Sequence, residues 1–250
     1  MYKYTIEHTI KEVMSVKTFL LLALFAFFCI SDLDFARAHQ LSAIEYVIHM
    51  MSEIYYMSQI LFLFLIISFS RLKKNKSIML LVRKKRFIKY WNSELLSIAI
   101  YITTILVLHL LIAITIGYTA FPREMNFTSM PLVVEHPLDV YRSWHHPVNA
   151  LIAQFSFMAI GFALIAYIIR FLELYLSSRL VTLLTLGFYI GVFVALRTTL
   201  NDTIYYLLAN NYILLHNAWD NLASTLITMV AIFLIITALV KKGWRIKRYV

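Results

Sequence analysis

The 250 residues hold one cysteine, five glycines and four prolines. The lone Cys29 excludes an intrachain disulfide and a cysteine-rich metal cage, and its place inside an apolar run reads as a small buried hydrophobe. Five glycines are too few for a phosphate-cradling loop. No G-x-x-x-x-G-K-[ST] occurs either, so the chain carries no nucleotide site of that kind. G-x-S-x-G and H-E-x-x-H are also missing, and with them the visible signatures of serine hydrolases and zinc proteases. All four prolines (Pro122, Pro131, Pro137, Pro147) fall in one interval. Missing amide donors cost little where water meets the backbone, so that interval is a loop. There is no internal repeat, no low-complexity linker and no room for a soluble domain.

Apolar residues dominate what is there. They make up 61% of the chain against 14% charged, and the mean hydropathy is +0.76, more apolar surface than a water-soluble fold can hide. The expectation is an all-α integral membrane protein. Its net charge of +10 sits in the gaps between apolar segments, which points to topology and anionic lipid and not to nucleic acid.

Six apolar runs read as spans, at about 18-33, 54-70, 95-118, 148-169, 180-196 and 222-240, in one domain covering 1-250. An amphipathic leader over 1-17 precedes them and reads as a short helix on the membrane surface. The first run is short, and Ala36-Arg37-Ala38 before His39 resembles a cleavage site. A retained first helix is the expectation, because Glu7 and Glu12 in the leader and Asp32 and Asp34 before the cut do not suit a signal peptide; cleavage after Ala38 is the alternative. Outer loops are expected at 34-53, with a surface helix, at 119-147, and at 197-221, where apolar pieces are suited to dip part-way into the bilayer as helical segments.

The charged residues orient this scheme. Nine of the 23 Lys and Arg lie in one elbow, 71-94, between the second and third runs. With both termini inside, 19 basic residues fall on the inner side and four on the outer, a bias that holds at every loop. The elbow interleaves Arg83, Lys84 and Arg86 with Phe87, Tyr90 and Trp91, so it seeks an apolar partner as well as a charged one.

Few residues carry candidate chemistry. His136, His145 and His146, with Glu135 and Asp139, form a histidine and carboxylate cluster in the proline-bearing loop, but without the helical spacing of a ligand pair. No metal, catalytic residue or cofactor is therefore assigned, and the loop is read as polar and external. His109 lies mid-span, where an ionisable side chain is a functional candidate; a histidine bonded to a neighbouring helix is the plainer reading. Gly187 and Gly191 form a G-x-x-x-G step in the fifth run that permits close helix approach.

Taken together, the six runs, the leader, the elbow SIMLLVRKKRFIKYWNSELLSI, the short hinge between runs four and five and the basic tail resemble the ABC-2-type permease subunits of bacterial ABC transporters, without the glycine that often interrupts the basic run. The resemblance implies a multi-pass protein of the bacterial cytoplasmic membrane, with both termini cytoplasmic. It further implies a coupling helix in the elbow (Arg83, Lys84, Arg86, Phe87, Tyr90, Trp91) that docks on a separate ABC ATPase subunit. ATP would be bound by that partner, so the chain itself would be a transport subunit and not an enzyme. A second permease subunit, identical or sister, would meet it at spans one and five near Gly187 and Gly191. Small permeases of this kind resemble those that export, or give immunity to, amphipathic or antimicrobial peptides. The competing readings are a six-span membrane enzyme using the outer histidines, and a non-catalytic membrane sensor or assembly factor.

Overall fold

A computed structural model describes residues 9–71, 87–123, 126–127, 137–195 and 210–246. The protein is all helical, with no strand among the described residues.

A helical turn at 9–13 leads into α1 (Val16–Ser31), whose N-cap Ser15 accepts from the Thr18 amide. The leader does more than lie on a surface, since Thr9 is buried and its hydroxyl bonds that of Ser97. α2 (Leu33–Ala38) extends α1, and the two form an apolar stretch of 23 residues, Val16–Ala38. At roughly 1.5 Å per residue this reaches across a ~30 Å hydrocarbon core. The chain then reverses at Gln40, whose φ of 49° is left-handed. Leu41 N–H donates to Ala36 O and Gln40 N–H to Arg37 O, the paired bonds of a Schellman turn with glutamine where glycine is usual.

The next element departs from expectation. An outer loop with a surface helix was expected at 34-53, but α3 (Ala43–Ser52) has all ten residues buried. It runs between α5 (Phe87–Ala120) and α7 (Pro147–Tyr175). Ser42 and Glu45 close a capping box at its start. Gly117 of α5 lets α3 approach closely: a Cβ there would lie 3.0 Å from the Tyr46 ring and 3.1 Å from Ala43 O. Helical geometry breaks at Glu53 (ψ 118°) and resumes after a 43° bend in a π-helical segment, Tyr56–Leu61, and α4 (Phe62–Arg71). By length and composition the bent pair, from Ala43 on, is either one broken span or a re-entrant loop. Glu45 and His49 hid it in the sequence, because both are polar, and both find partners inside the fold.

α5 contains the apolar stretch Trp91–Ala120, and α7 forms another, Pro147–Tyr175. Before α7 comes the short α6 (Pro137–Arg142); Pro147 occupies the first turn of α7, where its missing N–H costs nothing. α8 (Ser178–Ala195) has only a short apolar stretch, Arg179–Gly191. Two small helices, α9 (Asn210–Ile213) and α10 (Leu215–Ala218), and a 3-10 turn (Trp219–Asn221) feed α11 (Leu222–Ile246). The described part of the 197-221 interval is therefore made of helical pieces, with Tyr212 to Leu215 buried. Gly161 makes that packing possible, since a Cβ there would fall 1.7 Å from Tyr212 O.

Among the described residues, four helices are long and apolar enough to cross a membrane, and five if the bent pair is counted as one span. The described part of α8 supplies a shorter apolar stretch, Arg179–Gly191, than the ~20 residues of a full span. Large side chains, among them Phe25, Tyr46, Met50, Tyr56 and Phe162, fill the shared core. Apolar residues such as Phe19, Phe27, Leu183, Phe188, Ile227 and Leu234 are exposed on the outer faces, as in a protein solvated by lipid.

Candidate functional site: polar clusters inside the helix bundle

Three polar clusters stand at different heights in the bundle. The first is near the proline-bearing loop, on what we call the loop side. The third is beside the elbow, on the elbow side.

On the loop side, the Glu45 carboxylate is fully buried. Its Oε1 accepts from Arg142 Nε at 3.3 Å and Nη2 at 3.1 Å, and its Oε2 accepts from the Ser42 amide at 3.0 Å. A buried carboxylate is tolerable only with this kind of compensation. Next to it, Tyr141 donates to Gln154 Oε1 at 2.8 Å and lies 3.3 Å from His216 Nδ1. Gln154 also accepts from the Leu215 amide (3.0 Å) and donates to Met51 O (3.1 Å). One glutamine thus ties α6, α7, α10 and the frayed end of α3 together. Burial pushes the Tyr141 phenol well above its ordinary value, with the hydrogen bonding at His216 and Ser52 opposing. At the rim, His49 Nε2 lies 2.8 Å from Asp32 Oδ2, with Phe35 stacked on its ring.

In the middle, His109 Nδ1 donates to Ile105 O at 2.7 Å, which leaves Nε2 to pair with the Tyr56 hydroxyl at 3.0 Å. Tyr56 also reaches Leu21 O at 3.1 Å, and Phe25 closes over the imidazole at 4.6 Å between ring centroids. The histidine is therefore bonded to a neighbouring helix, and its partner is the first residue of the π-helical segment.

On the elbow side, Arg170 is 5% exposed and sits between two carboxylates. Its Nη1 donates to Glu173 at 2.8 Å, and its Nε is 3.2 Å from Glu94 Oε1. Arg170 Nε and Nη2 and Glu94 Oε2 are buried without a hydrogen-bond partner among the described residues, so the Arg170–Glu94 contact is an ion pair without a formed hydrogen bond. One turn earlier on α5, Trp91 packs on Tyr167 of α7 and on Ile236 and Val240 of α11.

Trp91 was expected on the docking face of the elbow, and here the structure differs. It is 4% exposed and held inside the bundle, because α5 already begins at Phe87 and its first turns aim the indole at α7 and α11. Phe87 and Tyr90 are described only as α5 backbone, and Arg83, Lys84 and Arg86 lie outside the described residues. Around Gly187 and Gly191 nothing of the described chain comes within 4 Å of an added Cβ, so both lie on an open face of α8. His145 and His146 are exposed, His136 lies outside the described residues, and no group of three metal-capable side chains occurs among the described ones.

Sequence reasoning passed over Glu45–Arg142, Glu94–Arg170 and Gln154. The only signal was that each charge lay within or at the edge of an apolar run, where an unpartnered charge is too costly to persist.

No family model, no curated protein and no solved structure matches the chain. What stands is a multi-pass membrane protein with several long apolar helices and an interior that pairs its polar groups.

Proposed function

We propose that the chain is the permease subunit of an ABC-2-type transporter in a bacterial cytoplasmic membrane, with six spans and both termini cytoplasmic. On this reading the bent pair is the second span and α8 the fifth. A separate ABC ATPase subunit binds ATP, and two permease subunits meet through spans one and five to form the pathway for an amphipathic or antimicrobial peptide.

The observation that carries the reading is the charge distribution. Nine basic residues fall in the interval bounded by Arg71 and Glu94, 19 of 23 lie on one side of the proposed topology, and no phosphate-binding loop is present in the sequence. A basic segment with aromatic neighbours suits a protein surface as its partner. The 34-residue α5 begins at the end of that segment and runs on to the proline-bearing loop, ~50 Å away at helical rise. A rod of this length carries displacement of the elbow across the membrane.

The test is purification from the native membrane, and co-expression with each ABC ATPase subunit of the same genome, followed by ATP hydrolysis in vesicles. The expected outcome is a stable complex that separates when Arg83, Lys84 and Arg86 are together replaced by Gln, with membrane insertion unchanged. A chain that recruits no ATPase ends the proposal. Replacing His136, His145 and His146 together by Ala then discriminates the enzyme alternative, since transport should survive that change and metal-dependent catalysis should not.

A further inference from the structure

A cleft of about 410 Å³ opens between α1, the bent segment and α8. Along the membrane its walls are apolar: Leu20, Leu24, Ile60, Leu63, Phe64 and Ile67. At the elbow side they turn polar, with Glu12, Ser15, Lys17 and Ser68 at the same mouth. Glu12 is fixed there because the Thr18 hydroxyl of α1 donates to its carbonyl at 3.1 Å. Lys17 is exposed in the first turn of α1, and neither its ammonium nor the Glu12 carboxylate forms an ion pair among the described residues. Leu20 and Ile67 remain open to the surroundings at 61% and 45% exposure. Among the described residues, the cleft therefore presents an apolar channel ending in one anion and one cation.

We propose that this cleft seats a phospholipid of the elbow-side leaflet whose headgroup bears a primary ammonium, as in phosphatidylethanolamine. The acyl chain lies along Leu24, Leu63 and Phe64, where burial of its methylenes drives association. Lys17 meets the phosphate, and Glu12 accepts from the ammonium. That pairing sets the selectivity. A trimethylammonium headgroup has no N–H to give Glu12, and a phosphoglycerol headgroup has no cation, so it leaves the carboxylate facing like charge. The general attraction of anionic lipid to the basic elbow works in the opposite direction, which makes a preference for the zwitterion with a primary ammonium, over both the anionic lipid and the trimethylammonium one, diagnostic of this mouth.

The experiment uses the full chain in vesicles of equal phosphatidylethanolamine, phosphatidylglycerol and phosphatidylcholine, extracted gently and weighed intact by mass spectrometry. The expected result is a retained lipid enriched in phosphatidylethanolamine over the bulk. Glu12→Gln, at a solvated rim, should reduce that enrichment by about fivefold, the scale of one rim ion pair, while Lys17→Gln, which removes the phosphate contact that all three headgroups share, should lower retention of all three. Leu63→Trp, which narrows the apolar channel, should lower retention of all three lipids. The proposal is overturned if the wild-type chain retains the lipids in bulk proportion, or if Glu12→Gln keeps the full preference. It is equally overturned if a disulfide between introduced cysteines at Leu20 of one copy and Leu63 of another forms with no lipid retained, since a second copy then covers the cleft. No ATPase enters the assay, so its outcome is independent of the transporter reading.

Discussion

The two ends of the bundle handle charge differently. On the loop side Glu45, Arg142, Tyr141 and Gln154 form a chain of bonds in which both Glu45 oxygens and both ends of the Gln154 amide are engaged. On the elbow side, Arg170 lies between Glu94 and Glu173, yet three buried atoms of that cluster have no hydrogen-bond partner among the described residues, and much of the local packing rests on Trp91. Polar side chains whose hydrogen-bonding atoms are all engaged rigidify their surroundings. Glu45 and Gln154 thus pin the loop side, while the Arg170 cluster leaves part of its hydrogen-bonding capacity unused among the described residues.

The strongest way to break this contrast is to open the loop-side pair. Arg142→Met strands the Glu45 carboxylate and should cost about 3 to 5 kcal/mol. Adding Glu45→Gln should restore a large part of the loss. Thermal unfolding of the detergent-solubilised protein reads both, and a silent single variant would show that the pair does not hold α6 to α3.

Removal of Trp91 tests the other end. Trp91→Ala should cost about 3 kcal/mol as a large core truncation. Hydrogen exchange should rise around Ile236 and Val240 of α11 and stay unchanged in α3. A uniform rise over both ends would erase the distinction between them.

A smaller effect is expected at Tyr141. Tyr141→Phe removes the bond to Gln154 and should cost about 1 kcal/mol at neutral pH. Because burial raises the folded phenol above its unfolded value, its contribution is fully present below about pH 10 and is lost as pH rises beyond. The wild type should therefore lose stability in alkali more steeply than the Phe variant, as a pH series of unfolding midpoints would show.

Smallest, and opposite in sign, is Gln40→Gly. Glycine suits the left-handed turn and should stabilise by up to about 1 kcal/mol, read as a raised midpoint. An unchanged or lowered midpoint would mean that the Gln40 side chain compensates its own backbone strain.

The helical class and long runs such as 95-118 and 148-169 were legible in the sequence, because eighteen or more apolar residues leave few alternatives to a membrane helix. The segment at Ala43 was not. Glu45 and His49 interrupt its hydropathy, and their partners Arg142 and Asp32, 97 and 17 positions away, help make them admissible inside the fold. Trp91 misled for a related reason. An aromatic residue beside a basic run reads equally well as an interface anchor or as the first turn of a buried helix, and only the start of α5 separates the two. Gly187 and Gly191 carried a recognisable motif, yet among the described glycines the tightest contact is at Gly161, which belongs to no motif and is defined by the backbone of Tyr212.

The 97-residue separation of Glu45 from Arg142 also sets a timetable. At roughly 5 to 20 residues per second of synthesis, Arg142 leaves the ribosome about 5 to 20 s after Glu45. During that wait the carboxylate has its local partners, the Ser42 backbone amide at 3.0 Å and the N-terminus of its own helix. The capping box thus gives the carboxylate a partner within its own turn, one that is synthesised well before Arg142.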